Sequence, residues 1–207
     1  MILERSKHSI FWFTDWLDTY DISSGRVIVH LPAGRNRLEK LKPLILEMVK
    51  LCEKNGIAIE FHVTDREDWL PVESSTYPNT SVYSIEGFFN IVPSMNCTLA
   101  NPMPRDFSHR VVVRRMDVLE IDAIAELSKT DIIMIDTLLD MDAKTGGRWD
   151  QELKGAIQQE LKDGGLLIRS QFNFDFEPIF SLISTPKISI DESGMWYDVW
   201  YDVWQRK

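Results

Sequence analysis

The run Asp131-Ile-Ile-Met-Ile-Asp-Thr-Leu-Leu-Asp140 constrains the fold more than any other stretch of the chain. It opens with an acid, passes through four apolar residues and reaches a second acid, Asp136. A short apolar run bounded by polar residues is the pattern of a strand buried on both faces of a parallel sheet. A second run, Gly165-Leu-Leu-Ile168, follows Lys162-Asp-Gly-Gly165, which reads as its entry turn. Trp149 to Leu161, between the two, reads as a helix. Together they predict one βαβ unit with an acid at the carboxyl end of its first strand. Ligands of open α/β sheets bind beyond those carboxyl ends. Asp136 is therefore the leading candidate for function, a cap on the following segment being its plainer use.

The rest of the chain extends that unit. Residues 4–20 predict a helix with an aromatic face of Ile10, Phe13, Trp16, Leu17 and Tyr20, broken by Ser23-Ser-Gly25. Arg26-Val-Ile-Val-His-Leu31 predicts a strand, and Pro32-Ala-Gly34 turns it into a helix over 35–54. Leu38, Leu41, Ile45, Met48, Val49 and Cys52 share one face of that helix. Pro43 either kinks it or marks its true first turn, and Asn55-Gly56 stops it. Ile57 to Val63 predicts the next strand, ending at Thr64-Asp65-Arg66. Residues 66–108 hold five of the nine prolines and read as a loop-rich insertion, with a short helix or hairpin near 82–92. Arg110 to Val113 is a strand and Val118 to Ser128 a short amphipathic helix. After the fifth strand, Glu177 to Ile183 reads as a helix with Pro178 in its first turn. Lys187-Ile-Ser-Ile190 and Met195 to Trp204 flank the turn Asp191-Glu-Ser-Gly194 as an antiparallel hairpin. The expected fold is a single α/β domain over 1–207. It is a Rossmann-like, mostly parallel sheet of five strands with helices on both faces and a C-terminal antiparallel hairpin.

Composition excludes several classes. A hydrophobic fraction of 44% with 27% charged residues fits a globular chain, and no apolar run nears the roughly 20 residues of a membrane helix. A net charge of −9 supplies no global field for nucleic acid, which leaves only a local basic groove. Cys52 and Cys97 have no framework or metal spacing and read as reduced thiols of a cytoplasmic protein. His30, His62 and His109 lack metal-ligand spacing, so no metal is expected.

The second half carries a family resemblance. Arg114-Arg-Met-Asp-Val118, then a helix, then Asp131-Ile-Ile-Met-Ile-Asp-Thr137, then Leu161-Lys-Asp-Gly-Gly-Leu-Leu-Ile-Arg169 resembles the motif order of class I S-adenosylmethionine-dependent methyltransferases. In detail it is most similar to viral, poxvirus-type RNA cap 2′-O-methyltransferases and the related ribosomal RNA enzymes, over about 26–65 and 110–204. The resemblance implies S-adenosylmethionine as cofactor and RNA, at a cap or a ribose 2′-hydroxyl, as acceptor. It implies that His30, Leu31, Pro32, Ala33 and Gly34 surround the methionine moiety. Asp65 with Arg66 would hold the ribose hydroxyls, Asp117 and Val118 would flank the adenine, and Asp136 would lie at the reacting methyl group.

The chain departs from the catalytic Lys-Asp-Lys-Glu set of that family. Asp136 matches its Asp, but Arg169 stands at the second lysine, and arginine stays protonated. Lys7 is the nearest candidate for the first lysine, another register placing Phe11 there, and Glu192 is a candidate for the final Glu. A methyltransferase-like subunit that binds protein or RNA without catalysis is thus a second reading. A nicotinamide-dependent Rossmann enzyme is a third, opposed by a turn in which only Gly34 remains of a glycine-rich loop. Each candidate has a plainer use: Asp65 and Asp117 as turn residues, Arg169 as a partner of Asp136. Arg105, Arg110, Arg114, Arg115 and Arg148 fit a solvated surface as well as an RNA groove. The even spacing of Trp196, Trp200 and Trp204 places them on one face of a strand or a helix, for core packing or a protein interface. That Trp-rich tail and the 66–108 insertion are the expected protein-partner surfaces.

Overall fold

The computed structural model describes residues 10–22, 24–32, 35–65, 80–91, 108–115, 130–135, 155–170, 179–185, 187–192 and 195–207. Helix α1 (Phe11–Thr19) buries Phe13, Trp16 and Leu17 of the expected aromatic face, and also Trp12, which that face did not include. Strand β1 (Arg26–Pro32) leads through α2 (Arg35–Lys54) to β2 (Ala58–Asp65). The two strands are parallel, in register from Arg26 opposite Ala58 to Pro32 opposite Thr64. Helix α2 runs on both sides of Pro43, which therefore does not mark its first turn. It ends in a Schellman closure: Ile57 N–H donates to Cys52 O at 2.9 Å, Gly56 N–H donates to Glu53 O at 3.0 Å, and Gly56 sits at φ +67°.

The segment read as an insertion supplies β3 (Thr80–Ser84) and α3 (Ile85–Ile91). Ser84 Oγ accepts the Gly87 N–H at 3.0 Å, a side-chain cap at the start of α3. Strand β3 pairs antiparallel with β4 (His109–Arg115) and extends the sheet beyond it. The central run forms β5 (Thr130–Ile135), and helical residues 155–160 precede β6 (Leu161–Ser170). The sheet closes with β7 (Phe180–Ser184), β8 (Lys187–Glu192) and β9 (Met195–Arg206). Its order is β3-β4-β2-β1-β5-β6-β9-β7, with β8 paired to β9 off that path. Strands β4, β2, β1, β5 and β6 are parallel, and β5 is the fourth of the five along the chain. Strand β9 serves two ladders. Its first half forms the predicted hairpin with β8, and its second half lies antiparallel between β6 and β7.

Two expectations are corrected. Lys162 to Gly165 is not an entry turn and Leu161 is not the end of a helix: they start β6, with Leu161 opposite Thr130 and a register shift before Leu166 meets Ile132. Glycine is required there: Gly164 has φ +75°, and a Cβ on Gly165 would lie 2.8 Å from the backbone oxygens of Asp131 and Lys162. Residues 180–183, read as part of a helix, are in strand β7, because β9 offers them a ladder from Phe180 opposite Arg206 onward.

The two faces of the sheet differ. One carries Val27, Val29, Leu31, Ile59, Phe61, Val63, Val111, Val113, Ile132, Met134, Leu166 and Ile168, packed with α1 and α2 into the main core. On the other, Ile133 and Leu167 join Ile157, Leu161 and Phe180 in a smaller cluster. Helices thus cover both faces, as expected for a doubly wound sheet. On that second face, over β1, β2 and β4, the polar Arg26, His30, Glu60, His62, Thr64, Arg110 and Arg114 alternate with the apolar side chains of the first, with Ile28 and Val112 as apolar positions among them.

Candidate ligand crevice at the carboxyl edge of the sheet

The chain leaves β1 toward β2 and β4 on one side, and enters β5 and β6 on the other. The strand order therefore reverses between β1 and β5, and the crevice at such a point, beyond the carboxyl ends, is where α/β sheets bind ligands. Pro32 ends β1 opposite Thr64, and the next residue, Asp65, ends β2 opposite Arg115 of β4. Asp65 is half-buried and Arg115 exposed. Ile135 ends β5 opposite Arg169 of β6. The expected cofactor turn and the expected ribose acid thus begin from adjacent strand tips at one edge. Lys7, Ala33, Gly34, Arg66, Asp117, Val118 and Asp136 lie outside the described residues, and Glu192 is described in its backbone alone.

The described candidates have defined surroundings. Leu31 is fully buried in the main core, so only its backbone borders the edge. His30 is also fully buried, on the opposite face. Its Nε2 is hydrogen-bonded to Thr64 Oγ1 at 2.8 Å. Its Nδ1 lies 3.1 Å from Glu160 Oε1, close enough for electrostatic attraction though off the axis of a good hydrogen bond. The same Glu160 oxygen accepts from Thr130 Oγ1 at 3.2 Å. Arg169 is buried, its guanidinium 3.8 Å from Asp202 of β9 and 5.4 Å from the centre of the Trp204 ring. Burial lowers its pKa and Asp202 opposes that shift. Asp202 is thus the described acid beside Arg169. Trp204 packs partly buried against the smaller cluster, a core use of that tryptophan.

A second polar group lies deeper on the same face. Glu60 receives Arg26 Nη1 at 2.8 Å, Arg110 Nε at 2.5 Å and His62 Nε2 at 2.6 Å. Burial alone would raise its pKa, but the hydrogen bonds and charges of His62 and Arg110 outweigh burial and hold it at about 2. Burial depresses the pKa of His62 despite Glu60, helped by the nearby charges of Arg114 and His30. Arg110 is therefore an ion-pair partner of Glu60 on β2. At the amino end of β5, buried Asp131 accepts from Tyr20 Oη at 2.9 Å, from the Ile28 N–H at 2.7 Å and from Lys162 Nζ at 2.6 Å. Among the described residues, no group of three His, Cys, Asp or Glu side chains could hold a metal ion.

These polar groups were missed because they are assembled by register. Their signal was the alternation of Glu60, His62 and Thr64 with Ile59, Phe61 and Val63, which marks a strand with one polar face.

No protein-family model and no curated protein matches the chain. Solved structures do. TrmN from Thermus thermophilus aligns over 94% of this chain and 48% of its own, at 12% identity and a TM-score of 0.47, so the chain spans about half the length of TrmN. The N-methyltransferase NodS from Bradyrhizobium japonicum aligns over 93% of both chains, at 12% identity and a TM-score of 0.40. A 16S rRNA adenine N1-methyltransferase from Catenulisporales acidiphilia aligns over 93% of this chain and 89% of its own, at 10% identity and a TM-score of 0.42.

Proposed function

We propose that this chain is an S-adenosylmethionine-dependent methyltransferase acting on RNA, at a cap or a ribose 2′-hydroxyl. The observation that carries the reading is the reversal of strand order between β1 and β5, in a five-stranded parallel sheet closed by an antiparallel strand. At such a reversal open α/β sheets bind ligands beyond the strand ends, and the sequence resemblance calls for the cofactor there. The residues present fit the group in one testable respect. The half-buried carboxylate of Asp65 stands one strand from the tip of β1, where an acceptor of ribose hydroxyl hydrogen bonds is needed.

Residues 30–34 would border the methionine moiety, Asp65 and Arg66 the ribose, and Asp117 and Val118 the adenine. The cofactor supplies an electrophilic methyl group on sulfonium. The chain supplies position and a pocket from which water is excluded, with Asp136 orienting the acceptor oxygen or a neighbouring cation. Arg169 remains cationic and cannot accept the acceptor's proton. Its contacts with Asp202 and Trp204 support a place in the packing of β6 on β9. Lys7 is the remaining candidate for proton transfer.

Arg169 also favours a second reading, a methyltransferase-like subunit that binds protein or RNA without catalysis. Calorimetric titration with S-adenosylmethionine and S-adenosylhomocysteine separates the possibilities. Absence of heat at millimolar ligand removes the methyltransferase reading. Where binding is seen, transfer of labelled methyl to capped RNA marks an enzyme, and its absence marks a binding subunit. Asp136→Ala should abolish transfer while sparing cofactor affinity, and full activity in that variant would remove Asp136 from the mechanism.

A further inference from the structure

The side chains of Thr64, His30, Glu160 and Thr130 form a buried chain across the point where the strand order reverses. Thr64 belongs to β2, His30 to β1 and Thr130 to β5, and Glu160 closes the helical residues 155–160 that lead into β6. Each is at least 96% buried, with exposures of 2%, 0%, 4% and 0% in that order. The contacts are 2.8 Å from Thr64 to His30, 3.1 Å from His30 to Glu160 and 3.2 Å from Glu160 to Thr130. Strand packing by itself does not call for such groups. The neighbouring positions of β1 and β2 on the first face are the aliphatic residues Val29, Leu31 and Val63, and parallel strands in α/β folds are ordinarily apolar on both faces. The hydrogen bonds between Thr64 and His30 and between Thr130 and Glu160 are directional and fix the relative placement of elements more narrowly than apolar packing does, and the Glu160 carboxylate lies beside His30 Nδ1.

The position of the chain gives it a use. His30 stands two residues before Pro32 at the tip of β1, and Thr64 one residue before Asp65 at the tip of β2. Between β1 and β5 the paired positions are Val29 with Ile132 and His30 with Ile133. On the second face, the His30–Glu160–Thr130 contacts connect these same two strands by side chains. We infer that His30 is a positioning residue: its ring, held by Thr64 and Glu160, fixes the tips of β1 and β2 that border the ligand crevice. This rests on the reading of that crevice as the cofactor site, and it changes the role of His30. A ring with no solvent exposure and both nitrogens facing protein atoms acts on a ligand through the backbone it holds.

The test uses the full chain and two isosteric variants, Thr64→Val and Glu160→Gln. Valine keeps the shape of threonine without the hydroxyl, and glutamine keeps the shape of glutamate without the charge. Tyr20→Phe is the control, since it removes a hydrogen bond to buried Asp131 at the opposite edge of the sheet. Two quantities are read at a temperature where all four proteins are fully folded: the Kd for S-adenosylhomocysteine and amide hydrogen exchange. A positioning role predicts a rise in Kd of about tenfold in both relay variants and none in Tyr20→Phe, at comparable losses of melting temperature. It also predicts at least tenfold faster exchange at the amides of Leu31 and Asp65, with Val27 and Ile59 unchanged. A double variant should match the single ones, because the two contacts act through one ring. Unchanged exchange at Leu31 and Asp65 in folded variants overturns the inference whatever the affinities are. Faster exchange with unchanged Kd overturns the link to the ligand. If the wild-type protein binds no S-adenosylhomocysteine, the cofactor reading fails by itself, and exchange alone decides whether His30 holds the strand tips.

Discussion

The two faces of the sheet solve the same burial problem differently. Over β1, β2 and β4 the first face presents mainly aliphatic and aromatic groups to α1 and α2, with His109 beside Glu53 of α2 at the start of β4. The second presents Arg26, Glu60, His62 and Arg110 in one connected group, with His30 and Thr64 beside it. Apolar burial stabilises in proportion to area and tolerates small displacements. Buried charges are desolvated at a cost that their pairing roughly offsets, so they add little stability but penalise any arrangement in which a partner is missing. The first face should therefore supply most of the folding energy, and the second most of the specification of strand register. Substitutions on each face can break that division.

The largest effect is expected from Phe13→Ala. Phe13 is fully buried, with Trp12 and Trp16 rings each centred 5.7 Å away. Truncation of a buried phenylalanine costs about 3–5 kcal/mol, a large part of the roughly 5–15 kcal/mol that holds a domain together. The urea midpoint should fall sharply with an unchanged slope. A change below about 1 kcal/mol would mean that the aromatic face of α1 is not part of the core energetics.

Glu60→Ala should rank second, because it leaves three donors around an empty position. Loss of one member of a buried ion pair costs about 3–5 kcal/mol. Arg26 and Arg110 have side-chain exposures of 33% and 24%, so water relieves part of that, and roughly 2 kcal/mol is expected in urea titrations. The sharper version replaces Glu60 together with its two arginine partners: Arg26→Met, Glu60→Leu and Arg110→Met. If the group specifies register more than it stabilises, the triple variant will match or exceed the wild-type midpoint. A triple variant weaker than Glu60→Ala would reverse the assignment.

These contrasts show which features could be read from residues alone. Strands β1, β2, β4 and β5 were legible because each is a short apolar run between polar ends, and α2 because its apolar positions recur at helical spacing. The beginning of β6 was not, since Lys162-Asp-Gly-Gly165 has the composition of a turn. It becomes a strand because Asp131 receives Lys162 and because close backbone approach at Gly165 leaves no room for a Cβ. Strand β7 was misread for a related reason. Phe180-Ser-Leu-Ile-Ser184 has weak local preference and takes its conformation from the distant β9. At the crevice, topology named the edge and the tips of β1 and β2. The polar group behind them was out of reach, because Glu60 meets Arg110 only once β2 and β4 are set in register.

Acidification tests the polar face through His62 and Glu60. Burial depresses the pKa of native His62 below its ordinary 6.5. As pH falls through about 6.5 the unfolded chain takes up a proton that the native chain does not, so stability falls with falling pH. Glu60 acts in the same direction at lower pH. Its native pKa of about 2 lies below the ordinary 4.5, so the stability it contributes is present above pH 4.5 and is lost on descending toward 2. Urea midpoints measured from pH 7.5 to 4 should decline, and His62→Leu should flatten the upper part of the curve and also weaken the lower, because His62 is one of the groups that hold the Glu60 pKa down. An unchanged upper slope in that variant would show that His62 is not the group that titrates.

The smallest effect is expected where neither face is involved. Lys50 and Glu47 form an ion pair at 3.3 Å on the outer surface of α2, with side-chain exposures of 67% and 43%. Exposed pairs three residues apart on a helix contribute about 0.2–0.5 kcal/mol, weakened by salt. Alanine at position 50 would recover part of that through its higher helix propensity. Lys50→Ala should therefore shift the urea midpoint by less than about 0.5 kcal/mol, and the shift should vanish in 0.5 M salt. It supplies the baseline for the comparison of the two faces. A loss as large as that of Glu60→Ala would mean that charge on α2, and not the partnered group on the inner face, governs how this sheet responds to losing an ion pair.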